Sequence, residues 1–288
     1  MSQKPLRIKP ISSAPAEHIT TNIIKNMELI PTWFERCNQH DKPAVIFSAG
    51  PSLGAYLDKI KDDPDFFNDH LTICVKHALP EFTKRGLKPH FCSVLDPRSI
   101  HEVSTIGKKR SDLYEQAHPD TVFIVASMTD YSVTEWLIEH NKKLIGYHTA
   151  TPEINSLDPE TRAKVGSMII SGGTSSATRS IELAHFLGCS KTTLVGFDSS
   201  FDSPRPTNIV DSQGKQLYLK VQVGDGSYYT TGEFVAQAQD IQALLTNPRA
   251  FTSIVLQKGL TTSLVDAIER EVGNATSSTK QWRDFLDV

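Results

Sequence analysis

Ala44-Val45-Ile46-Phe47-Ser48-Ala49-Gly50-Pro51-Ser52-Leu53 is the stretch whose reading decides the fold. A short unbroken apolar run bounded by turn residues fits a strand buried on both faces, as in a parallel sheet. The chemistry then changes within three residues. Gly50 permits a tight turn and close backbone approach. Pro51 has no N–H to lose and suits a first helical turn. From Leu53 to Ile60 the pattern is helical.

The same alternation extends along the chain. Leu71-Thr72-Ile73-Cys74-Val75, Phe91-Cys92-Ser93-Val94-Leu95, 122–126, 143–147, Thr192-Thr193-Leu194-Val195 and 253–256 are further short apolar runs. Helical stretches at 78–85, 133–141, 175–187 and 233–245 lie between them. This order predicts an α/β protein with a mostly parallel sheet, right-handed crossovers and helices on both faces. Residues 1–40 read as a polar tail and then a helix, with Ile23, Ile24, Met27 and Ile30 at helical spacing until Pro31 ends it. Residues 41–262 read as the main domain. Within it, 202–229 is rich in Gly, Pro, Ser and Asp and reads as a surface excursion carrying a hairpin near 216–221. Residues 263–288 read as a C-terminal helix.

Composition sets bounds on function. The 288 residues are 39% apolar and 22% charged, which argues against disorder and against a disulfide scaffold. Thirty Lys and Arg against 33 Asp and Glu leave a net charge of −3, the wrong balance for gripping a nucleic acid backbone. Cys37, Cys74, Cys92 and Cys189 have no metal-type spacing, and Cys74 and Cys92 read as core residues. No apolar run approaches the ~20 residues of a membrane helix. The first residues lack the apolar segment of a secretory signal. The expectation is a cytoplasmic protein without a membrane partner, with self-association left open.

Ligands of open α/β sheets bind outside the carboxyl ends of the strands, so the residues that follow each strand are the candidates. Gly50, Pro51 and Ser52 could present a helix start to an anion, or form a plain turn. Lys76 and His77 follow the second strand and could meet a phosphate or face solvent. Asp96, just before Pro97, could hold a metal or a ribose hydroxyl, or cap its own turn. Ser171, Gly172, Gly173, Thr174 and Ser175 supply more small and hydroxyl-bearing residues than a helix cap requires, and predict ligand binding. Asp198 follows the strand at 192–195 and could share a divalent cation with Asp96. His185 reads as structural, buried in an apolar helix face. No histidine follows it, and neither GxSxG nor HExxH occurs, so serine-hydrolase and zinc-protease chemistry find no support.

Four segments carry a resemblance, in order. The stretch from Val45 to Leu53 resembles the opening strand and GPSL turn of the 6-hydroxymethylpterin diphosphokinase MptE-like family. That family shares its fold with the central domain of the Maf motility accessory factor glycosyltransferases, and more distantly with bacterial sialyltransferases. The stretch from Leu87 to Pro97, that from Ser171 through Leu187-Gly188-Cys189 to Leu194-Val195-Gly196-Phe197-Asp198, and Tyr229-Thr230-Thr231-Gly232-Glu233-Phe234 resemble its later elements. The resemblance implies a Rossmann-like, nucleotide-dependent transferase. Gly50, Pro51, Ser52 and the loop from Ser171 to Ser175 would bind phosphates. Asp96 and Asp198 would position Mg²⁺ or ribose, Lys76 would clamp charge, and Tyr228 and Tyr229 would belong to a closing lid. The implied reaction is diphosphate transfer from Mg-ATP to a small hydroxyl-bearing acceptor such as a hydroxymethylpterin. The alternatives are glycosyl transfer from a CMP- or other nucleotide-sugar, and nucleotide binding without catalysis. Ala49 stands where the sialyltransferase-like pattern has Asn, and 227–230 lacks that pattern's histidine.

Overall fold

A computed structural model describes residues 14–103, 109–166, 168–202, 218–245, 252–254 and 259–264. Helix α1 (Ala16–Leu29) leads into β1 (Ala44–Phe47) and α2 (Leu53–Ile60). Then come α3 (Phe66–Asp69), β2 (Leu71–Val75), α4 (Leu79–Lys84), β3 (Phe91–Val94), α5 (Asp112–Glu115) and β4 (Val122–Ala126). They are followed by α6 (Tyr131–Glu139), β5 (Leu144–Thr149), α7 (Pro152–Asn155), α8 (Pro159–Val165) and β6 (Ile169–Ile170). Helix α9 (Ser176–Phe186), β7 (Thr192–Val195), the strands β8 (Leu219–Val223) and β9 (Gly226–Thr230), α10 (Gly232–Leu245) and β10 (Thr252–Ile254) follow.

The main sheet runs β10-β7-β1-β2-β3-β4-β5-β6, and every pair in it is parallel. The chain builds outward from β1 to β6, then returns to the other side of β1 with β7. The strand order therefore reverses between β1 and β7, where α/β folds open a ligand crevice. Burial explains the unbroken apolar runs. Ile46, Phe47, Ile73, Cys74, Phe123 and Ile124 are fully enclosed, each large side chain contributing about 1.5–3 kcal/mol.

Helices cover both faces. Neighbouring strand residues point to opposite sides. On β5, His148 stacks on Trp33 after α1, with ring centroids 4.1 Å apart, while Tyr147 feels the charge of Arg179 on α9. Helix α1 ends at Ile30, before Pro31, and is fastened by buried amides. Asn26 Nδ2 donates to the carbonyls of Ser127 (2.9 Å) and Thr129 (2.6 Å), just beyond β4.

The described hairpin strands span Leu219–Val223 and Gly226–Thr230, and 216–217 lie outside the described residues. Two expectations change. His185 is exposed on α9 and lies 3.4 Å from Arg36, because the apolar face of that helix turns away from it. Short helices α5, α7 and α8 occupy segments without a helical period. The tail at 1–13, most of the excursion (203–217) and the C-terminal segment beyond 264 lie outside the described residues. Among the described residues, no helix is long and apolar enough to cross a membrane.

Candidate functional site

The strand ends β2 and β3 bring three cations onto one carboxylate. Lys76 follows β2 directly, and Asp96 lies two residues beyond β3. Arg98 is on the same turn, and Arg110 comes from the segment before α5. Lys76 Nζ and Arg110 Nη1 both donate to Asp96 Oδ2. Arg98 donates from Nε to Oδ1 (2.9 Å), from Nη2 to Oδ2 (3.2 Å) and from its backbone N–H to Oδ1 (3.2 Å). Lys76, Asp96 and Arg110 are 6%, 3% and 2% exposed. Arg110 Nε is buried without a hydrogen-bond partner among the described residues.

The charges set the protonation states. Burial alone would raise the Asp96 pKa, but Lys76, Arg98 and Arg110 outweigh it and hold the carboxyl well below the usual carboxylate range. Burial lowers Lys76, and the two arginines add to that against the pull of Asp96. His77 is pushed down to about 3 by burial and by Lys76, so its ring stays neutral. Three cations contact one ionised carboxylate, and Glu233 and Glu102 also act on the charge of the part-exposed Arg98. Buried charge needs a partner, and this arrangement suits an anion with several acceptor oxygens.

A second pair adjoins this cluster, and sequence reasoning missed it. The backbone N–H of Asp130 donates to the carbonyl of Asp96 at 2.9 Å. Asp130 caps α6, its Oδ1 accepting from the N–H of Ser132 at 3.0 Å. Its Oδ2 lies 2.8 Å from His18 Nε2, which is also 3.0 Å from the carbonyl of Pro97. An Asp before a helix was a visible cap signal. Nothing in the sequence joins it to a histidine 112 positions away.

The GPSL turn is built differently from its expectation. Ser52 donates to Asp198 Oδ2 from both its backbone N–H (2.9 Å) and its Oγ (2.8 Å). The protein's own carboxylate thus occupies the anion position at the start of α2. Gly50 N–H donates to the carbonyl of Gly196 at 2.8 Å, and a Cβ at Gly50 would collide with both Asp198 and Gly196. Pro51 lies in this turn, between two strands whose ends are latched together. The turn at the reversal point is therefore latched by its own side chains.

The loop from Ser171 to Ser175 is mostly exposed and follows β6. Gly172 and Gly173 have φ of 90° and 64°, a conformation that favours glycine. Ser175 caps α9 in a capping box with Thr178. Thr174 donates to Asp240 Oδ2 from its N–H (2.6 Å) and its Oγ1 (2.7 Å). Asp240 is on α10, whose first-turn Glu233 acts on the charge of Arg98. Seven residues of helix separate the two carboxylates, about 10 Å along the axis, so α10 spans from the loop to the cluster. Tyr228 and Tyr229 lie on β9: Tyr228 bonds Ser263, and the carbonyl of Tyr229 accepts from Phe201 N–H at 2.9 Å. The hairpin is thereby held to the segment after β7.

A cation shared by Asp96 and Asp198 does not fit. Their strands, β3 and β7, are separated by β1 and β2, about 14 Å at ordinary strand spacing, whereas metal ligands stand at about 2–2.6 Å. Both oxygens of Asp96 are already covered by cations. No group of three or more His, Cys, Asp or Glu able to hold a metal occurs among the described residues.

The fold and the charged strand ends define a Rossmann-like α/β protein with a cationic cluster around one carboxylate at the carboxyl edge of its sheet. Residues 17–204 match the family model described as 6-hydroxymethylpterin diphosphokinase MptE-like, and the chain belongs to that family. Its fold is similar to that in the structure of a MAf glycosyltransferase from Magnetospirillum magneticum AMB-1, with a TM-score of 0.55 at 13% identity. That likeness covers 88% of this chain and 41% of the other, so this chain spans less than half of it. No curated protein matches.

Proposed function

We propose that the chain is a transferase whose nucleotide donor is held by its phosphates over Lys76, Arg98 and Arg110. One observation carries this: three buried or half-buried cations share a single carboxylate, and Arg110 Nε has no partner among the described residues. A phosphate would supply the missing charge and acceptors. The loop from Ser171 to Ser175, against Gln237 and Asp240 in the middle of α10, would hold a second part of the nucleotide. The family's description names a diphosphokinase and the structural neighbour is described as a glycosyltransferase, and both are group-transfer chemistries.

In the favoured reading, ATP gives its terminal diphosphate to a hydroxymethyl heterocycle of the pterin kind. The acceptor oxygen bonds to the β-phosphorus, the bond from that phosphorus to the α-phosphate oxygen breaks, and AMP leaves with the bonding pair. Such transfers need positioning and charge neutralisation more than covalent help. The three cations would stabilise the charge that develops on the leaving phosphate. Mg²⁺ enters this reading only as a counter-ion carried on the ATP phosphates. A second reading, glycosyl transfer from a CMP-sugar, is favoured by the cation-covered oxygens of Asp96, which leave no carboxylate pair for a metal.

A thermal-shift panel of ATP, ADP, GTP, CTP, CMP and UDP, with and without Mg²⁺, tests the reading. A ligand at ~100 times its Kd adds about 2.7 kcal/mol. At ~2.1 cal/mol/K per residue this raises Tm by about 4–5 °C. A shift with ATP supports diphosphate transfer, and a shift with CMP or CTP supports glycosyl transfer. No shift with any of them overturns nucleotide dependence.

A further inference from the structure

We propose that His18 is the group that takes the proton from the acceptor hydroxyl, held for that purpose by Asp130. This rests on the transferase reading above and adds a catalytic residue to it. The geometry fixes the tautomer. His18 Nε2 faces two acceptors, Asp130 Oδ2 at 2.8 Å and the Pro97 carbonyl at 3.0 Å. Neither can donate, so Nε2 carries the hydrogen, and whenever the ring is neutral its lone pair lies on Nδ1. A carboxylate that orients an imidazole through one nitrogen leaves the other as a base, the logic of Asp-His pairs in nucleophilic enzymes.

The surroundings favour this role over a purely structural one. Asp130 is 2% exposed and rigidly held. Its Oδ1 accepts from the N–H and Oγ of Ser132, and its own N–H donates to Asp96. His18 keeps 41% of its side chain exposed, so a substrate can reach it. Nδ1 makes no hydrogen bond among the described residues. Pro97, which accepts from His18, sits between Asp96 and Arg98, so the base adjoins the cations that would hold the donor. His77 is nearer in sequence to the cluster, but burial and Lys76 hold it at about 3, which makes it a poor base near neutrality.

The step balances. The hydroxyl oxygen bonds to the donor's phosphorus as the bond to the leaving nucleotide oxygen breaks. The electron pair leaves with the nucleotide, and the hydroxyl proton goes to His18 Nδ1, then to solvent. Asp130 is the positioning residue: it keeps the hydrogen on Nε2 and steadies the charged ring.

The test uses the full chain and two probes. Inorganic pyrophosphate stands in for the donor's phosphates, and its binding is read by thermal shift. Diethyl pyrocarbonate then reports histidine reactivity, resolved by peptide mass spectrometry, with exposed His118 as the internal control. Pyrophosphate is expected to slow modification of His18 at least fivefold and to leave His118 unchanged. Release of AMP from ATP with 6-hydroxymethylpterin is the turnover assay. His18→Ala should lower it about 100-fold, with nucleotide affinity kept and with rescue of tenfold or more by added imidazole. Asp130→Asn should lower turnover without imidazole rescue. If pyrophosphate binds but His18 reacts at an unchanged rate, the proposal fails and the donor site stands. A loss of turnover in His18→Ala that imidazole does not restore also overturns it and leaves His18 as a staple for α1. If pyrophosphate does not bind, the donor-site reading falls, and this proposal falls with it.

Discussion

Asp96→Asn removes the one carboxylate that pairs with Lys76, Arg98 and Arg110 among the described residues. The shape is kept and the charge is lost. Breaking a buried ion pair by deleting one partner costs about 3–5 kcal/mol, because the remaining charge is left uncompensated. At ~2.1 cal/mol/K per residue, unfolding 288 residues changes entropy by about 0.6 kcal/mol/K. The expected loss is therefore roughly 5–8 °C in Tm at pH 7, read by circular dichroism. The pH dependence gives a second, independent readout. The folded-state pKa of Asp96 lies below its unfolded value of about 3.9. Its stabilisation is fully present above that unfolded value and is lost as pH falls through the folded one. The difference between wild type and variant should thus be constant from pH 7 to pH 5 and shrink below pH 4. Pyrophosphate should raise the Tm of the variant more than that of the wild type, since the cluster has gained net positive charge. A variant within about 1 °C of wild type at pH 7 would refute the reasoning. So would a difference that grows on acidification.

Two further substitutions test the parts around the cluster. Gly50→Ala should cost about 1–3 kcal/mol by overpacking, because its Cβ meets the Asp198 carboxylate and the Gly196 carbonyl; an unchanged denaturation midpoint in urea would show that the latch yields freely. Ser175→Ala removes the N-cap of α9 and should cost about 1 kcal/mol; no loss of Tm would show that the capping box contributes nothing.

Local physics made most of the sheet legible. A strand buried on both faces needs apolar residues throughout, so β1, β2, β3, β4, β5 and β7 are legible as runs. β6 is two residues long and has no period to read. Helix α1 was visible from Ile23 and Met27, but its docking was not. Asn22 and Asn26 look like solvent-facing residues until the backbone of 127–129 is placed beside them. The site divides along the same line. Lys76 and Asp96 were legible because they follow strands at the carboxyl edge. Arg98 and Arg110 were not, since a charged residue in a loop carries no sign of burial before the fold exists. Asp198 was legible as a strand-end carboxylate. Its partner was misjudged because the sequence cannot reveal strand order, and only the adjacency of β7 and β1 brings Asp198 to Ser52. His18 and Asp130 meet through tertiary packing alone.

The most direct test of the central claim is calorimetric titration of pyrophosphate into the wild-type chain and into Arg98→Gln. Arg98 is the least buried of the three cations, with 30% of its side chain exposed, so its replacement leaves the buried Lys76–Asp96–Arg110 contacts in place. The account predicts binding to the wild type that weakens with added salt. It also predicts at least tenfold weaker binding to the variant, about 1.4 kcal/mol. Equal affinity for the two proteins, or no heat of binding in the wild type, would contradict it.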